Sequence, residues 1–268
     1  MLLYVFLILS LAISAVIVVN TVTFASLQAL WVFPLCFAGG YLALVLLFAL
    51  VMLLSGVFVD PDKPVEEDSP FHRFMLNEFS RIALFFGGAR VHSTGLEKVP
   101  RDGRFLLVSN HVTIFDPILF LHQIPWAKLG FIAKKEAFKI FLVGAYLRKT
   151  LCLPIDREND RAALRTVLTA AERLRAGDLS YCVYPEGTRH PAEEMLPFRC
   201  GAFKIAQKAG VPIVIAAIRG TDDVCHRFPR TTDVYLDICG VLDADTVKAS
   251  KTTEIGEVVR ECIISAST

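Results

Sequence analysis

The sequence predicts an α/β protein: a mixed, largely parallel central sheet flanked by helices, preceded by an N-terminal pair of transmembrane helices. Three observations lead there. Residues 1–59 contain no Asp, Glu, Lys or Arg, so all 28 Lys+Arg and all 27 Asp+Glu fall in residues 60–268. From residue 90 onward, short apolar runs alternate with helical patterns, as expected of parallel strands joined by crossover helices. The polar clusters stand at the ends of those runs, where α/β domains gather their ligands.

The charge-free segment comes first. Leu2–Val19 is apolar apart from Ser10 and Ser14, and as a helix it reaches about 27 Å against a hydrocarbon core of ~30 Å. A polar break follows at Asn20, Thr21, Val22 and Thr23. A second run from Leu30 to Val59 is long enough to cross with tilt, with Trp31 and Tyr41 as interfacial anchors. Pro34, Gly39 and Gly40 within it are tolerated in a membrane helix. A cleaved signal peptide would require a basic leader, which Met1-Leu2-Leu3-Tyr4 lacks. A hairpin dipping into one leaflet is the remaining alternative to two spans. Residues 1–59 are therefore read as a two-span membrane anchor.

Residues 60–89 read as a linker and an interfacial amphipathic helix. After the acidic, proline-containing stretch 60–70, Phe71, Phe74, Met75, Phe79, Ile82 and Phe86 recur at helical spacing. Arg73, Asn77 and Arg81 share another face, and Gly87-Gly88 stops the helix. The pattern suits a helix on the domain core as well as one with its phenylalanines in lipid.

Residues 90–268 form the third segment. Strands are expected at Arg90–Thr94, Phe105–Ser109, Gly130–Ala133, Leu151–Ile155, Tyr181–Tyr184, Pro212–Ile218 and Val234–Cys239. Helices are expected at Pro117–Gln123, Glu136–Leu147, Asp160–Ala176, Ala202–Lys208 and Thr252–Ser265. No internal repeat is present. The net charge of +1 offers no basic field of the kind a nucleic acid requires. The 7 cysteines include no C-x-x-C and no zinc-finger spacing, so reduced thiols and no metal are expected.

Two clusters carry chemistry. In the first, the strand Phe105–Ser109 ends at Asn110 and His111, and Asp116 followed by Pro117 reads as a helix N-cap and first turn. A carboxylate beside an imidazole fixes its tautomer and stabilises the imidazolium formed on proton uptake. On spacing alone, a helix cap beside a solvated histidine is the plainer reading. In the second, Pro185 and Gly187 impose a turn carrying Glu186, Thr188 and Arg189. A guanidinium at a strand end suits a phosphate through paired hydrogen bonds, although a salt-bridged surface turn accounts for the same residues.

Together these segments resemble the 1-acylglycerol-3-phosphate acyltransferase family. The Asn-His, four-residue, Asp motif matches Asn110, His111 and Asp116. The Lys-Gly-Arg block matches Lys134, Gly144 and Arg157, with Ala137 where the family usually carries Leu. The Pro-Glu-Gly-Thr-Arg block is complete at Pro185–Arg189, and Val211-Pro212-Ile213-Val214 is followed by Ile215 in place of a second proline. The resemblance covers about residues 90–220.

It implies a membrane-bound enzyme that moves an acyl group from an acyl thioester to the free hydroxyl of 1-acylglycerol-3-phosphate, giving phosphatidate. Glycerol-3-phosphate or another lysophospholipid is the alternative acceptor. His111 and Asp116 are the implied catalytic pair, and Asn110, Lys134, Arg157, Glu186, Gly187, Thr188 and Arg189 the implied substrate-binding set. Acyl-CoA or an acyl carrier protein supplies the thioester, with the lipid bilayer as the other partner and no cofactor. Because such thioesters are made in the cytosol, the catalytic domain of this integral membrane protein is expected to face the cytoplasm. A hydrolase would need an activated nucleophile, and no G-x-S-x-G elbow is present. A silent lipid-binding protein has no use for His111, Asp116, Glu186 and Arg189 together.

Overall fold

The computed structural model describes residues 1–21, 29–190, 195–227 and 229–267. The chain divides into two compact units, Met1–Asp60 and Pro61–Thr268. The first unit is a pair of apolar helices, α1 (Leu2–Thr21) and α2 (Ala29–Val57), both long and apolar enough to cross a membrane. Residues 22–28, with Val22 and Thr23 of the expected polar break, lie outside the described residues. Hydrocarbon offers no partner to a hydroxyl, so the two serines of α1 bond within the helix: Ser10 Oγ to Phe6 O at 2.7 Å, and Ser14 Oγ to Ser10 O at 2.6 Å. Gly40 of α2 lies against Ser10, a pairing of small residues that lets membrane helices approach closely.

The second unit opens with α3 (Pro70–Phe86), capped by Ser69 and stopped at Gly87. Its phenylalanines Phe71, Phe74, Phe79, Phe85 and Phe86 are exposed, while Leu84 joins the core. Arg73, on the face it shares with Asn77 and Arg81, is buried. Its burial is compensated at all three guanidinium nitrogens: it pairs with Asp68 at 2.7 Å and donates to Leu129 O and Thr150 O at 2.8 and 2.9 Å. Removing Asp68 would leave that charge buried and unpaired, which costs about 3–5 kcal/mol.

The sheet comprises β1 (Ala89–Thr94), β2 (Leu106–Ser109), β3 (Leu129–Lys134), β4 (Leu153–Ile155), β5 (Ser180–Val183), β6 (Ile213–Arg219) and β7 (Thr232–Leu242), in the order β1-β7-β6-β2-β5-β3-β4. Strands β2 to β6 run one way; β7 is antiparallel to β6, and β1 is parallel to β7. The central strands are apolar without alternation because both faces are covered. Leu107, Cys182 and Val214 face one layer with Leu84 of α3 and Phe120 of α4 (Phe115–Gln123). Leu106, Tyr181 and Ile215 face the other, with Leu174 of α6 (Asp160–Ala176), Ile205 of α7 (Lys204–Ala209) and Val259 of α9 (Thr252–Ser267). Between β7 and α9 stands the short helix α8 (Ala244–Ala249), whose sequence pattern was too brief to register.

One expected helix is divided. Glu136–Leu147 appears as a 3-10 turn, Lys135–Lys139, and a separate α5 (Val143–Lys149). The break is a γ-turn at Leu142, with φ 65° and ψ −51°, closed by Val143 N–H to Phe141 O at 2.8 Å. Continuous apolar periodicity hid it.

Candidate active site

The loop leaving β2 is organised by side chains that act as backbone. Asn110 Nδ2 donates to Ile218 O at 2.9 Å, and its Oδ1 accepts the Ile218 N–H at 2.9 Å, so the amide adds one rung to the β2–β6 ladder. The main chain is thereby released to turn outward at His111.

Asp116 then gathers the loop. Its carboxylate is fully buried, and Oδ2 accepts from Val112 N–H at 2.7 Å and Thr113 N–H at 2.9 Å, and faces His111 Nδ1 at 2.7 Å. Oδ1 accepts the Thr221 hydroxyl at 2.6 Å. Charge-assisted bonds to each oxygen offset the desolvation of a buried carboxylate. Because Asp116 accepts, the proton is assigned to Nδ1, which leaves the Nε2 lone pair of His111 as a base.

The N-cap expectation for Asp116 is corrected by this geometry. Helix α4 begins at Phe115 with Ile114 at the cap position and no side-chain cap bond. Asp116 lies inside the first turn and reaches back to the 112 and 113 amides. Pro117 follows within that turn, where a missing N–H has no helical partner to lose.

The second cluster is bonded directly to the first. Gly187 N–H donates to Tyr184 O at 3.0 Å, closing a turn over Pro185 and Glu186, and Gly187 has φ +76°. A β-carbon there would also meet Arg199 Nε at 3.0 Å. Buried Glu186 straps three segments: Oε1 accepts the His111 N–H at 3.0 Å and Oε2 the Leu196 N–H at 3.1 Å. His190 N–H donates to His111 O at 2.9 Å. Apart from a 3.3 Å bond from the Ser109 hydroxyl to Asn110 Oδ1, the hydrogen bonds of Asn110 and Glu186 thus go to backbone groups, while Thr188 and Arg189 are exposed.

Sequence reasoning missed three neighbours. Tyr184 stacks its ring on the His111 imidazole, centroids 4.0 Å apart and planes 15° from parallel, and burial pushes its phenol well above the usual range. Thr221 holds the far oxygen of Asp116. Arg199 lies near enough to half-buried Arg157 to lower it, adding to the larger effect of burial. No local sequence signal marks these contacts, because each partner is remote in sequence.

Lys134 ends β3 and Arg157 follows β4, so both stand at the edge of the sheet from which His111 leaves β2. Lys134 is exposed and pairs with Glu136 at 3.6 Å. Among the described residues, no hydrogen bond or ion pair joins either cation to the His111–Asp116 loop. The arrangement supplies a proton acceptor on a hydrogen-bonded loop with the exposed cation Arg189 on the adjoining turn, which suits hydroxyl activation on a phosphate-bearing molecule.

Comparison with known proteins agrees. A family model described as acyltransferase matches residues 90–219. The 1-acyl-sn-glycerol-3-phosphate acyltransferase of Bacillus subtilis is 31% identical over 149 residues, covering 56% of this chain and 71% of that protein. The protein of that name in Borreliella burgdorferi is 23% identical over 193 residues, covering 71% and 76%. The crystal structure of the 1-acyl-sn-glycerophosphate (LPA) acyltransferase, PlsC, from Thermotoga maritima superposes with a TM-score of 0.64 at 28% identity, covering 82% of this chain and 87% of that one.

Proposed function

The chain belongs to the 1-acyl-sn-glycerol-3-phosphate acyltransferase family, membrane enzymes that convert lysophosphatidate to phosphatidate, and from that premise we propose how its residues divide the work. His111 Nε2 takes the proton of the acceptor's free hydroxyl as that oxygen attacks the thioester carbonyl. The tetrahedral intermediate collapses, the carbon–sulfur bond breaks, and the imidazolium returns the proton to the departing thiolate. Asp116 holds the imidazole and balances its charge while it is protonated. The observation that carries this reading is the 2.7 Å contact between His111 Nδ1 and a fully buried, fully bonded Asp116.

Arg189 binds the acceptor's phosphate, with Lys134 and Arg157 contributing positive charge. Asn110 and Glu186 act by holding the loop, and Thr188 or backbone N–H groups of the 185–190 turn stabilise the oxyanion. General-base catalysis supplies ~10²–10⁴-fold, so positioning must supply much of the rest. Residues 1–59 anchor the enzyme, the Phe-rich α3 lies along the interface, and 90–268 perform the transfer. The donor is acyl-CoA or an acyl carrier protein thioester; both are cytosolic, which favours a cytoplasmic catalytic unit and, with two spans, a cytoplasmic Met1.

Purified full-length protein in detergent, given lysophosphatidate and each thioester in turn, tests the reading. Phosphatidate is expected; free fatty acid alone would indicate a hydrolase, and no product a silent binder. Orientation is tested separately with a cysteine at Ser69: slow labelling by an impermeant reagent in intact cells is expected, and rapid labelling overturns it.

A further inference from the structure

The break between the 3-10 turn and α5 places apolar side chains where a water-facing loop would not. Phe141 is 71% exposed, Ile140 56% and Val143 46%. They are not a slack loop able to fold back. The γ-turn at Leu142 fixes the tip, and Gly144 is packed so closely beneath it that a β-carbon would stand 2.1 Å from Phe138 O. Arg148 Nη1 ties the same carbonyl at 2.9 Å, and Phe138 is buried in the core. A bulky residue at positive φ is strained and persists only where its surroundings impose it. Here the strain holds a phenylalanine outward.

We propose that the Ile140–Val143 tip is a membrane-inserting element of the catalytic unit, entering the headgroup and upper acyl region of the bilayer. Several observations select lipid as the occupant. The chain already resides in a bilayer through α1 and α2. Strands β2, β5 and β3 are mutually parallel, so the tip, which follows β3, leaves the sheet at the edge from which His111 follows β2. The flank is basic: Lys134, Lys135 and Lys139 precede the tip and Arg148 and Lys149 follow it, although Lys134 and Lys135 are paired with Glu136 and Asp156. An apolar tip with a cationic collar is the chemistry of interfacial insertion into anionic lipid. A rigid insertion beside the site would hold the catalytic edge against the surface that contains a lipid acceptor. The inference rests on the membrane anchor, not on which lipid is acylated.

The test uses full-length Phe141→Trp in vesicles of phosphatidylcholine and phosphatidylglycerol, with the parent protein subtracting the emission of Trp31 and Trp126. The added emission should be blue-shifted, quenched by lipids brominated on their acyl chains and shielded from iodide. Quenching by iodide with no effect of bromolipid overturns the proposal. So does a specific cross-link between copies through Phe141→Cys, which would make the tip a protein interface. As an activity readout, Phe141→Asp should lower the rate on vesicle-borne long-chain lysophosphatidate by about tenfold while sparing a short-chain, water-soluble one. Equal loss on both substrates overturns it, because the tip would then serve catalysis and not bilayer contact. The fluorescence arm reports even if the acyl transfer itself is misassigned.

Discussion

The loop at 110–116 and the turn at 185–190 meet at one site but are built in opposite ways. In the loop, the Asn110 amide and the Asp116 carboxylate are spent on internal bonds, and the His111 ring is fixed by Asp116 at one edge and Tyr184 on one face. In the turn, Glu186 is tied equally firmly, yet Thr188 and Arg189 just beyond it extend into solvent. Under the proposed division of work, the first arrangement fixes the base before substrate arrives. The second, under the same proposal, presents an exposed guanidinium for the substrate's phosphate to claim. Damage to the two regions should therefore appear in different kinetic constants.

The largest expected effect is that of His111→Ala, which should lower kcat by ~10²–10⁴-fold with KM little changed, since the base acts only as the hydroxyl loses its proton. Steady-state phosphatidate formation by the purified variant measures it, and parental activity would remove the basis of the comparison. Asp116→Asn should lower kcat by less. It should also cost about 1–3 kcal/mol of stability, because an amide cannot accept from every donor now facing that carboxylate. Thermal unfolding alongside kcat separates the two losses.

Arg189→Ala should leave kcat near the parental value and raise KM for lysophosphatidate by roughly 10–100-fold, the equivalent of a lost charge-assisted bond. Arg189→Lys should recover only part, because a point charge lacks the paired geometry. A rise in KM for the thioester instead would reverse the assignment of the two substrates. The smallest effect is expected from Tyr184→Phe. Burial raises the phenol's pKa, so the group stays protonated below pH 10, and the pH–rate profile should keep its alkaline limb. Tyr184→Leu, which removes the ring facing His111, should lower kcat several-fold.

What was legible in the sequence had a local signature. Strand ends at Ser109 and Ile155, the span of α6 and the two polar clusters all follow from runs and punctuation a few residues long. The contacts that complete the site do not: Thr221 meets Asp116 across 105 positions, and Glu186 meets His111 across 75. No spacing rule encodes such pairings, which arise from the strand order of the sheet. The N-cap expectation for Asp116 failed for a related reason. Asp at a helix start is ordinarily a cap, but here Val112 and Thr113 presented amides that its own helix did not. The burial of Arg73 was not legible because its three acceptors come from Asp68, β3 and the end of α5.

The Asn110 arrangement also bears on how the protein ages. Asparagine loses ammonia when the following backbone nitrogen attacks its side-chain carbonyl carbon and closes a succinimide ring. At this position that nitrogen belongs to His111, and its N–H is held by Glu186 Oε1 at 3.0 Å. The side-chain amide, whose nitrogen must depart as ammonia, is held by Ile218 on both its nitrogen and its oxygen. Peptide mapping of long-stored protein should find Asn110 intact, and loosening Glu186 by Glu186→Ala should expose it to deamidation. The strap that joins the two halves of the site thus also preserves, over the lifetime of the molecule, the asparagine whose conversion to aspartate would place a carboxylate against the Ile218 carbonyl and unpick the loop from within.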